Sequence, residues 1–292
     1  MEEFLVGEEM SFFVVSDGKT IKDFQTAQDH KRVLEGDKGK NTGGMGAYSP
    51  SRLINKDLEK KIINRIINPT LKALSEFGVK YKGFLYTGLM IVDNEPYLIE
   101  YNVRMGDPEC QTILPKLKTD LFDIIEACVN EKLKEINIEW LKNKSLCVVL
   151  CSNGYPDNYK KNIEIKNLNN ISLDKDEFLF HAGTSKQNNK IYAVGGRVLN
   201  FVVLSKNFKV SREKAIDLIN KLNWSNSNNQ SIGTTDLVFG ATNSGTGYFF
   251  NGYIDEVRLS TTERGSESDN RESDSSLSSS CQSIVQNIPK IY

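Results

Sequence analysis

The chain of 292 residues is poor in the residues that build metal centres and disulfide frameworks. Its two histidines are too few for a metal site made of histidine ligands. Its five cysteines are an odd number and contain no Cys-x-x-Cys pair. This pattern argues against a zinc site and indicates reduced thiols, as in a cytoplasmic protein.

Long apolar runs and a strong net charge are missing as well. No apolar stretch approaches the roughly 20 residues that a membrane-spanning helix needs. The net charge is −1, so no basic field favours binding to nucleic acid or to an anionic membrane. The acidic start, MEEFLVGEEM, lacks the basic region of a secretory signal peptide. The composition, 39% hydrophobic and 26% charged, is that of a soluble globular protein with about two domains.

The pattern with the most chemical content lies in residues 97–109, YLIEYNVRMGDPE. An acid, an amide and a base alternate there as Glu100, Asn102 and Arg104. Side chains two apart on a strand share one face, so we expect these three to point the same way. A carboxylate beside an amide oxygen suits Mg²⁺, and a guanidinium suits a phosphate. The alternative is a half-buried edge strand with a charged solvent face.

Periodicity in the first 135 residues predicts two hairpins and two amphipathic helices. The expected strands are residues 10–15, 20–24, 86–92 and 97–104. The expected helices are residues 57–77, which Pro69 should kink or divide, and residues 120–133. Residues 35–49 carry five glycines and little periodicity, and we expect a loop there.

The sequence changes character after residue 146. Short apolar runs predict strands at residues 147–151, 178–182, 192–194 and 197–204, with a closing helix at 211–222. These elements indicate a small α+β module packed on the first one. Residues 225–260 combine a linker with one more strand candidate. Residues 261–292 are rich in Ser, Asp and Glu, and we expect them to be mostly disordered.

Several stretches in the right order resemble the phosphoribosylamine–glycine ligase family of the ATP-grasp superfamily. They are residues 2–9 (EEFLVGEE), 28–32 (QDHKR), 41–50 (NTGGMGAYSP), 104–111 (RMGDPECQ), 181–184 (HAGT) and 195–198 (GGRV). The most specific is Arg-x-Gly-Asp-Pro-Glu. The resemblance implies an α+β fold. Its ATP-grasp core, an antiparallel sheet flanked by helices, would span residues 1–135, and a small carboxy-terminal ligase domain would span residues 145–224.

The resemblance also implies a reaction. ATP would phosphorylate the carboxylate of glycine, and the amine of 5-phosphoribosylamine would attack the glycyl phosphate. The products would be glycinamide ribonucleotide, ADP and phosphate, in de novo purine biosynthesis in the cytoplasm. The partners would thus be small molecules, with no nucleic acid and no membrane. The implied cofactors are ATP and Mg²⁺, with Mn²⁺ as the alternative ion.

Roles for individual residues follow from the same resemblance. Glu100 and Asn102 would bind the metal ion. Arg104 and Asp107 are the catalytic candidates, with Arg104 holding phosphate oxygens or the acyl phosphate. The nucleotide-binding candidates are Glu3, Leu5, Glu9, Lys31, Arg32, Asn41, Gly43 and Gly44.

The nucleotide-binding candidates fall into three groups. The backbone around Glu3 and Leu5 would meet the adenine edge, and Glu9 would accept hydrogen bonds from the ribose. Lys31 and Arg32, with Asp29 before them, are candidate contacts to phosphoribosylamine or to the ATP phosphates. The glycine-rich segment 36–46 would offer backbone N–H groups to an anion.

Two departures from the family shape the expectations. The family resemblance begins at the nucleotide hinge, so the amino-terminal and lid domains are expected to be missing and ligase activity to be weak or absent. Residues 247–260 resemble the last strands of a laminin-G or concanavalin-like jelly roll. A gene fusion or a frame error would explain this fragment, which is too short to close a sandwich. The open alternatives are an ATP-grasp ligase for another carboxylate and a non-catalytic nucleotide-binding protein.

Overall fold

A large antiparallel sheet runs through the computed structural model, which describes residues 4–34, 38–222 and 237–239. The strands in chain order are β1 (Glu8–Asp17), β2 (Ile21–Asp29), β3 (Arg32–Leu34), β4 (Lys38–Asn41), β5 (Gly46–Ser49), β6 (Lys82–Val92), β7 (Glu95–Asn102), β8 (Lys144–Ser152), β9 (Ile163–Ile165), β10 (Glu177–His181), β11 (Thr184–Gln187), β12 (Lys190–Ala193), β13 (Arg197–Ser205) and β14 (Leu237–Phe239). The large sheet has the order β10-β13-β8-β5-β2-β1-β6-β7, and β14 pairs with β8 beside this path. The remaining strands form a three-stranded sheet, β11-β12-β9, and a ribbon, β3-β4.

Five α-helices of the described residues pack on the sheets or connect their strands. They are α1 (Lys56–Ile62), α2 (Asn68–Glu76), α3 (Glu109–Ile113), α4 (Leu121–Val129) and α5 (Phe208–Asn220). A π-helical turn, Ile63–Ile67, joins α1 to α2. Pro69 lies in the first turn of α2, where its missing N–H leaves no bond unmade. Pro69 was predicted to kink or divide this helix, and the structure accommodates it with the π-helical turn, while the backbone stays helical on both sides.

Strand β1 is apolar from Met10 to Val15, apart from Ser11, because both of its faces are covered there. Met10, Phe12 and Val14 pack toward α1 and α2, in a cluster with Leu58 and Ile62. Phe13 and Val15 face the opposite side, in a cluster that includes Ile124 of α4. β1 pairs antiparallel with β2, so the predicted first hairpin is confirmed.

The carboxy-terminal strands continue the same sheet. β8 pairs with β5 on one side and with β13 on the other. Leu218 and Ile219 of α5 cover this part of the sheet by packing near Leu199 and Phe201. The predicted module is thus joined to the first one edge to edge, through β5 and β8.

The predicted loop at residues 35–49 is wrong at β4 and β5. Glycine suggested a loop, but Gly46 sits inside the sheet beside β8. An added Cβ at Gly46 would lie 2.6 Å from the carbonyl oxygen of Cys147. The glycine therefore allows close strand approach here rather than a turn.

The predicted second hairpin is confirmed, but its turn is shorter than expected. Only Asp93 and Asn94 form the turn, and both have positive φ, 50° and 62°, as two-residue hairpin turns require. β7 consequently begins at Glu95 and ends at Asn102, before Arg104. The register shifts between Gly88 and Leu89 of β6, which pair with Glu100 and Leu98, so Ile99 forms a bulge in β7.

The predicted α+β class, an antiparallel sheet flanked by helices, is confirmed. Apart from β14, the predicted linker and jelly-roll-like segment (225–260) and the predicted disordered tail (261–292) lie outside the described residues. Within the described ranges, no helix has the length and apolarity that a membrane crossing requires.

Lys116 is a buried lysine whose charge should make the stability of the chain depend on pH. Its side chain is 2% exposed, and Nζ donates to Gln25 Oε1 at 3.1 Å and to Ser49 Oγ at 3.2 Å. Burial, together with the nearby charge of Lys144, lowers the pKa of Lys116 from 10.5 to about 8. The folded state therefore loses this proton at a lower pH than the unfolded chain does.

We expect the stability of the wild type relative to Lys116→Met to increase by about 3 kcal/mol as the pH rises from about 8 to about 10.5. The sign follows because the unfolded chain binds more protons in that range. Urea unfolding of both proteins across the range measures it. Lys72→Met, at an exposed position, is the control. A difference between wild type and variant that stays constant with pH would contradict the lowered pKa of Lys116 in the folded chain.

Candidate active site

The two predicted metal ligands lie side by side near the end of β7. Asn102 Nδ2 is 3.4 Å from Glu100 Oε1, so both side chains share one face as predicted. Gly88 of β6 pairs with Glu100, and an added Cβ there would lie 3.1 Å from Glu100 Cγ. Glycine at this position leaves room for the carboxylate. Arg104 lies beyond the strand, is exposed, and donates from Nη1 to the Met105 carbonyl at 2.8 Å.

A shallow concave pocket, partly open to solvent and with enclosed room for about one water molecule, lies beside Glu100. Its lining residues are Glu9, Met10, Ser11, Asp29, Lys31, Tyr86, Gly88, Leu89, Ile99 and Glu100. The pocket therefore brings together four of the candidate residues, Glu9, Asp29, Lys31 and Glu100. Glu9 lies in β1, Asp29 ends β2, Lys31 follows β2, and Glu100 lies in β7.

Lys31 and Glu9 form an ion pair at the pocket, with Nζ 2.6 Å from Oε2. Burial opposes the charge of Lys31, but the carboxylates of Glu9 and Asp29 outweigh it and raise the pKa of this lysine. Lys31 therefore stays charged near neutral pH. It is a cation held in place at a site where a phosphate could bind.

Two carboxyl groups lie beside the pocket: Glu109 is buried, and Asp29 is half-buried with its Oδ1 atom buried. Burial, followed by the charge of Glu109, raises the pKa of Asp29 well above its ordinary value. Burial also raises the pKa of Glu109, whose Oε1 lies 2.8 Å from Ser11 Oγ. Ser11 Oγ is 3.2 Å from the hydroxyl of Tyr86 as well. These groups concentrate negative charge that a cation or a proton would relieve.

Some of these residues were missed from the sequence. Ser11, Tyr86 and Gly88 were not among the expected site residues. A serine inside the apolar run of β1 and a glycine inside β6 were the available signals, because each breaks the pattern of a buried strand. Glu109 was seen only as part of the Arg-x-Gly-Asp-Pro-Glu stretch.

The glycine-rich loop uses several of its N–H groups within the protein. Thr42 N donates to the Lys31 carbonyl at 2.7 Å, and Met45 N donates to the His30 carbonyl at 2.8 Å. Gly44 N donates to Thr42 Oγ1 at 3.1 Å. These three groups are engaged in the described structure, and anion binding by the loop N–H groups stays a prediction.

The other nucleotide-binding candidates that the structure describes, Leu5, Arg32 and Asn41, do not line the pocket. Arg32 Nη1 donates to the Gly39 carbonyl at 3.0 Å, across the β3-β4 ribbon. Asn41 is exposed at the end of β4, and Leu5 is half-buried before β1. Glu3 lies outside the described residues.

Asp107 is held by neighbouring side chains. Its Oδ2 forms an ion pair with Arg197 Nη2, and its Oδ1 accepts from Gln111 Nε2 at 2.9 Å. Burial raises the pKa of Asp107, while the charge of Arg197 opposes that rise. Asp107 would have to release one of these bonds to contact a substrate.

Gly44 is the loop position where a side chain should be tolerated least. Its φ is +110°, and an added Cβ would lie 2.5 Å from Pro108 Cδ and 2.6 Å from Asp29 Oδ1. We expect Gly44→Ala to lower the free energy of unfolding by about 3 kcal/mol, from backbone strain and overlap combined. Urea unfolding measures this loss.

Gly78→Ala is the matched control for Gly44→Ala. Gly78 also has positive φ, +79°, but an added Cβ there meets no atom within 4 Å. We expect it to cost about 1 kcal/mol, the backbone contribution alone. Equal losses at the two positions would contradict the close packing of the loop on Asp29 and Pro108.

The donor set at Glu100 and Asn102 fits a magnesium ion. Mg²⁺ is usually bound through one or two protein carboxylates together with waters and substrate phosphates. Among the described residues, no group of three or more His, Cys, Asp or Glu side chains is arranged to hold a metal. A carboxylate with an adjacent amide therefore suits an ion that shares its coordination with a substrate. Asn102 would present its oxygen after rotation of the amide.

Comparison with known families identifies the fold. Residues 1–110 match the family described as Phosphoribosylglycinamide synthetase, ATP-grasp (A) domain. Residues 145–231 match the C domain of the same synthetase. The sheet and its pocket thus define a protein of the ATP-grasp class, whose ligases in general use ATP and divalent metal ions. The chain belongs to the phosphoribosylglycinamide synthetase family, since the two matches together span more than half of it, and the predicted family is confirmed.

Curated relatives carry the corresponding enzyme name. The chain is 44% identical over 224 residues to phosphoribosylamine–glycine ligase of Caldanaerobacter subterraneus, a match covering 77% of this chain and 53% of the relative. It is 42% identical over 224 residues to the Brucella melitensis ligase, again over 77% of this chain and 52% of the relative. The chain therefore spans about half the length of these relatives.

A solved structure supports the same family. The crystal structure of phosphoribosylamine–glycine ligase from Thermotoga maritima superimposes with a TM-score of 0.64 at 31% sequence identity. The match covers 86% of this chain and 57% of the Thermotoga chain. The resemblance of the tail to a laminin-G or concanavalin-like protein stays a prediction.

Proposed function

We propose that this chain takes part in the ATP-dependent ligation of glycine to 5-phosphoribosylamine. The observation that carries the proposal is the Glu100–Asn102 pair at a pocket that also holds Glu9 and Lys31. That arrangement occurs in a chain 42–44% identical to ligases of this name.

The proposed reaction has two steps. A carboxylate oxygen of glycine attacks the γ-phosphorus of ATP, which gives glycyl phosphate and releases ADP. The amine of 5-phosphoribosylamine then attacks the glycyl carbonyl. Phosphate leaves with the bonding electrons, and the amine loses a proton to give glycinamide ribonucleotide. A bound Mg²⁺ would neutralise negative charge on the phosphates.

Glu9 and Lys31 are proposed to exchange partners when the nucleotide binds. They pair with each other at 2.6 Å in the described structure. Ribose hydroxyls would donate hydrogen bonds to Glu9, and phosphate oxygens would accept from Lys31. Both charges would then keep a partner, so breaking the ion pair would leave neither residue unpaired.

Glu100 and Asn102 are proposed to hold Mg²⁺, with Mn²⁺ as the alternative ion. Arg104 is proposed to bind phosphate oxygens as charge moves during phosphoryl transfer. Its exposed position, before the Gly106–Pro108 turn, leaves the guanidinium accessible. Asp107 is proposed to act from its bonded position, by keeping this turn in place.

The proposed organisation assigns residues 1–135 to the ATP-grasp core and residues 145–224 to the carboxy-terminal ligase domain. We further propose a cytoplasmic location. The four cysteines of the described residues, which are free and buried, support a reducing environment.

ADP formation with Mg²⁺, glycine and 5-phosphoribosylamine tests the proposal. ADP release that requires both substrates and disappears in Glu100→Gln is the expected result. Alanine in place of glycine is the matched substrate control. Equal ADP release with alanine would favour an ATP-grasp ligase for another carboxylate. Binding of ATP without ADP release from any carboxylate would favour a non-catalytic nucleotide-binding protein.

A further inference from the structure

We propose that Arg197 is a positioning residue that assembles one wall of the pocket from the carboxy-terminal part of the chain. The inference rests on the proposed function, and it assigns to β13 a role in the site. Arg197 would fix two segments, the loop at residues 42–45 and the turn at residues 106–108. These segments in turn hold Asp29 and Glu109 beside the pocket.

The contacts of Arg197 join three separate parts of the chain. Nη1 donates to the Asp107 carbonyl at 2.9 Å and to the Gly43 carbonyl at 3.2 Å, and it lies 3.5 Å from the Gly44 carbonyl. Nη2 forms the ion pair with the Asp107 carboxylate. The Arg197 side chain is 1% exposed. A buried guanidinium with these contacts fixes the spacing of the loop and the turn.

Arginine suits this position because its planar fork donates in several fixed directions. A lysine would keep the charge, but it could not reproduce the same set of directed hydrogen bonds. The Asp107 carboxylate links Arg197 to α3, because its other oxygen accepts a hydrogen bond from Gln111 of that helix. Glu109 is the first residue of α3 and therefore moves with this unit.

The loop at residues 42–45 fixes the position of Asp29 by packing directly against it. An added Cβ at Gly44 would lie 2.6 Å from Asp29 Oδ1 and 2.5 Å from Pro108 Cδ. The backbone of Gly44 is thus in close contact with both. Asp29 lines the pocket, and Glu109 reaches Ser11, which lines it too. Two short chains of contact therefore lead from Arg197 to the pocket wall.

The test compares Arg197→Lys and Arg197→Met with the wild type. Arg65→Lys is the control, because Arg65 is an exposed residue paired with Glu95 on another part of the fold. The first measurement is amide hydrogen exchange without ligand. We expect exchange at residues 42–46 and 106–112 to be about tenfold faster in Arg197→Lys, with α1 and α2 unchanged. Equal exchange at both segments, or faster exchange throughout the chain, would overturn the inference.

The second measurement is the affinity for ATP in the presence of Mg²⁺. We expect Arg197→Lys to bind about tenfold more weakly while its melting temperature stays close to that of the wild type. Unchanged affinity would overturn the positioning role. If Arg197→Met does not fold, Arg197→Lys and Asp107→Asn decide the question.

The two measurements separate this inference from the proposed function. A wild type that binds no ATP contradicts the proposed function. In that case the exchange data still test whether Arg197 holds the loop and the turn in place. A wild type that binds ATP, with no local change in exchange in Arg197→Lys, contradicts only the positioning role.

Discussion

Replacing Glu100 by glutamine is expected to weaken the binding of ATP in the presence of Mg²⁺ by about 100-fold. Glutamine has nearly the same shape, so Gly88 beneath it and Asn102 beside it keep their packing. The substitution removes the carboxylate charge that a hard divalent cation requires. Isothermal titration of ATP in the presence and absence of Mg²⁺ measures the change.

The effect should be confined to the metal-dependent part of binding. We expect the affinity measured without Mg²⁺ to change little in Glu100→Gln. Glu126→Gln, at an exposed position on α4, carries the same chemical change and should bind as the wild type does. Binding by Glu100→Gln within about threefold of the wild type would remove Glu100 from the metal site.

Replacing Asp29 by asparagine is expected to stabilise the chain by on the order of 2 kcal/mol at about pH 8. Asp29 Oδ1 is buried and, within the described structure, has no hydrogen-bond partner. Burial and the charge of Glu109 raise the pKa of Asp29, and the positive charges of Lys31 and Arg197 offset only part of this. A neutral side chain of the same shape removes the cost of holding that charge.

The pH dependence of this gain follows from the raised pKa. In acid, below the ordinary value of 3.8, Asp29 is protonated in both the folded and unfolded chains, and the variant gains nothing. As the pH rises, the unfolded chain ionises first, so the wild type loses stability relative to Asp29→Asn until the folded pKa is passed. Thermal unfolding of both proteins at several pH values measures the difference.

Asp217→Asn is the control for Asp29→Asn, because it makes the same change at an exposed position of α5. We expect its effect to stay within about 0.5 kcal/mol at every pH. A destabilised Asp29→Asn at about pH 8 would show that Asp29 serves as an ion-pair partner of Lys31 rather than as a carboxyl group strained by burial.

Patterns local in the sequence predicted much of the fold. The apolar run of β1 and the turn after it predicted the first hairpin, and Pro69 predicted the irregularity that the structure shows as a π-helical turn before α2. Strand alternation also placed Glu100 and Asn102 on one face. It failed for Arg104, because β7 ends at Asn102 and the alternation ends with it.

Features that depend on long-range pairing were not readable from the sequence. Gly46 gave a loop by composition, yet its lack of a side chain is what lets β5 pair with β8. The contact of Arg197 with Asp107 joins residues 90 positions apart, and no local periodicity records it. Lys31 and Glu9 are 22 positions apart, and no strand or helix pattern in the sequence predicts their pairing either.

Titration of ATP into the wild-type chain, with and without Mg²⁺, decides whether Glu9, Lys31, Glu100 and Asn102 form a metal-dependent nucleotide site. We expect saturable binding at one site, strengthened at least about tenfold by Mg²⁺. Absence of saturable binding, or equal affinity with and without Mg²⁺, would contradict such a site.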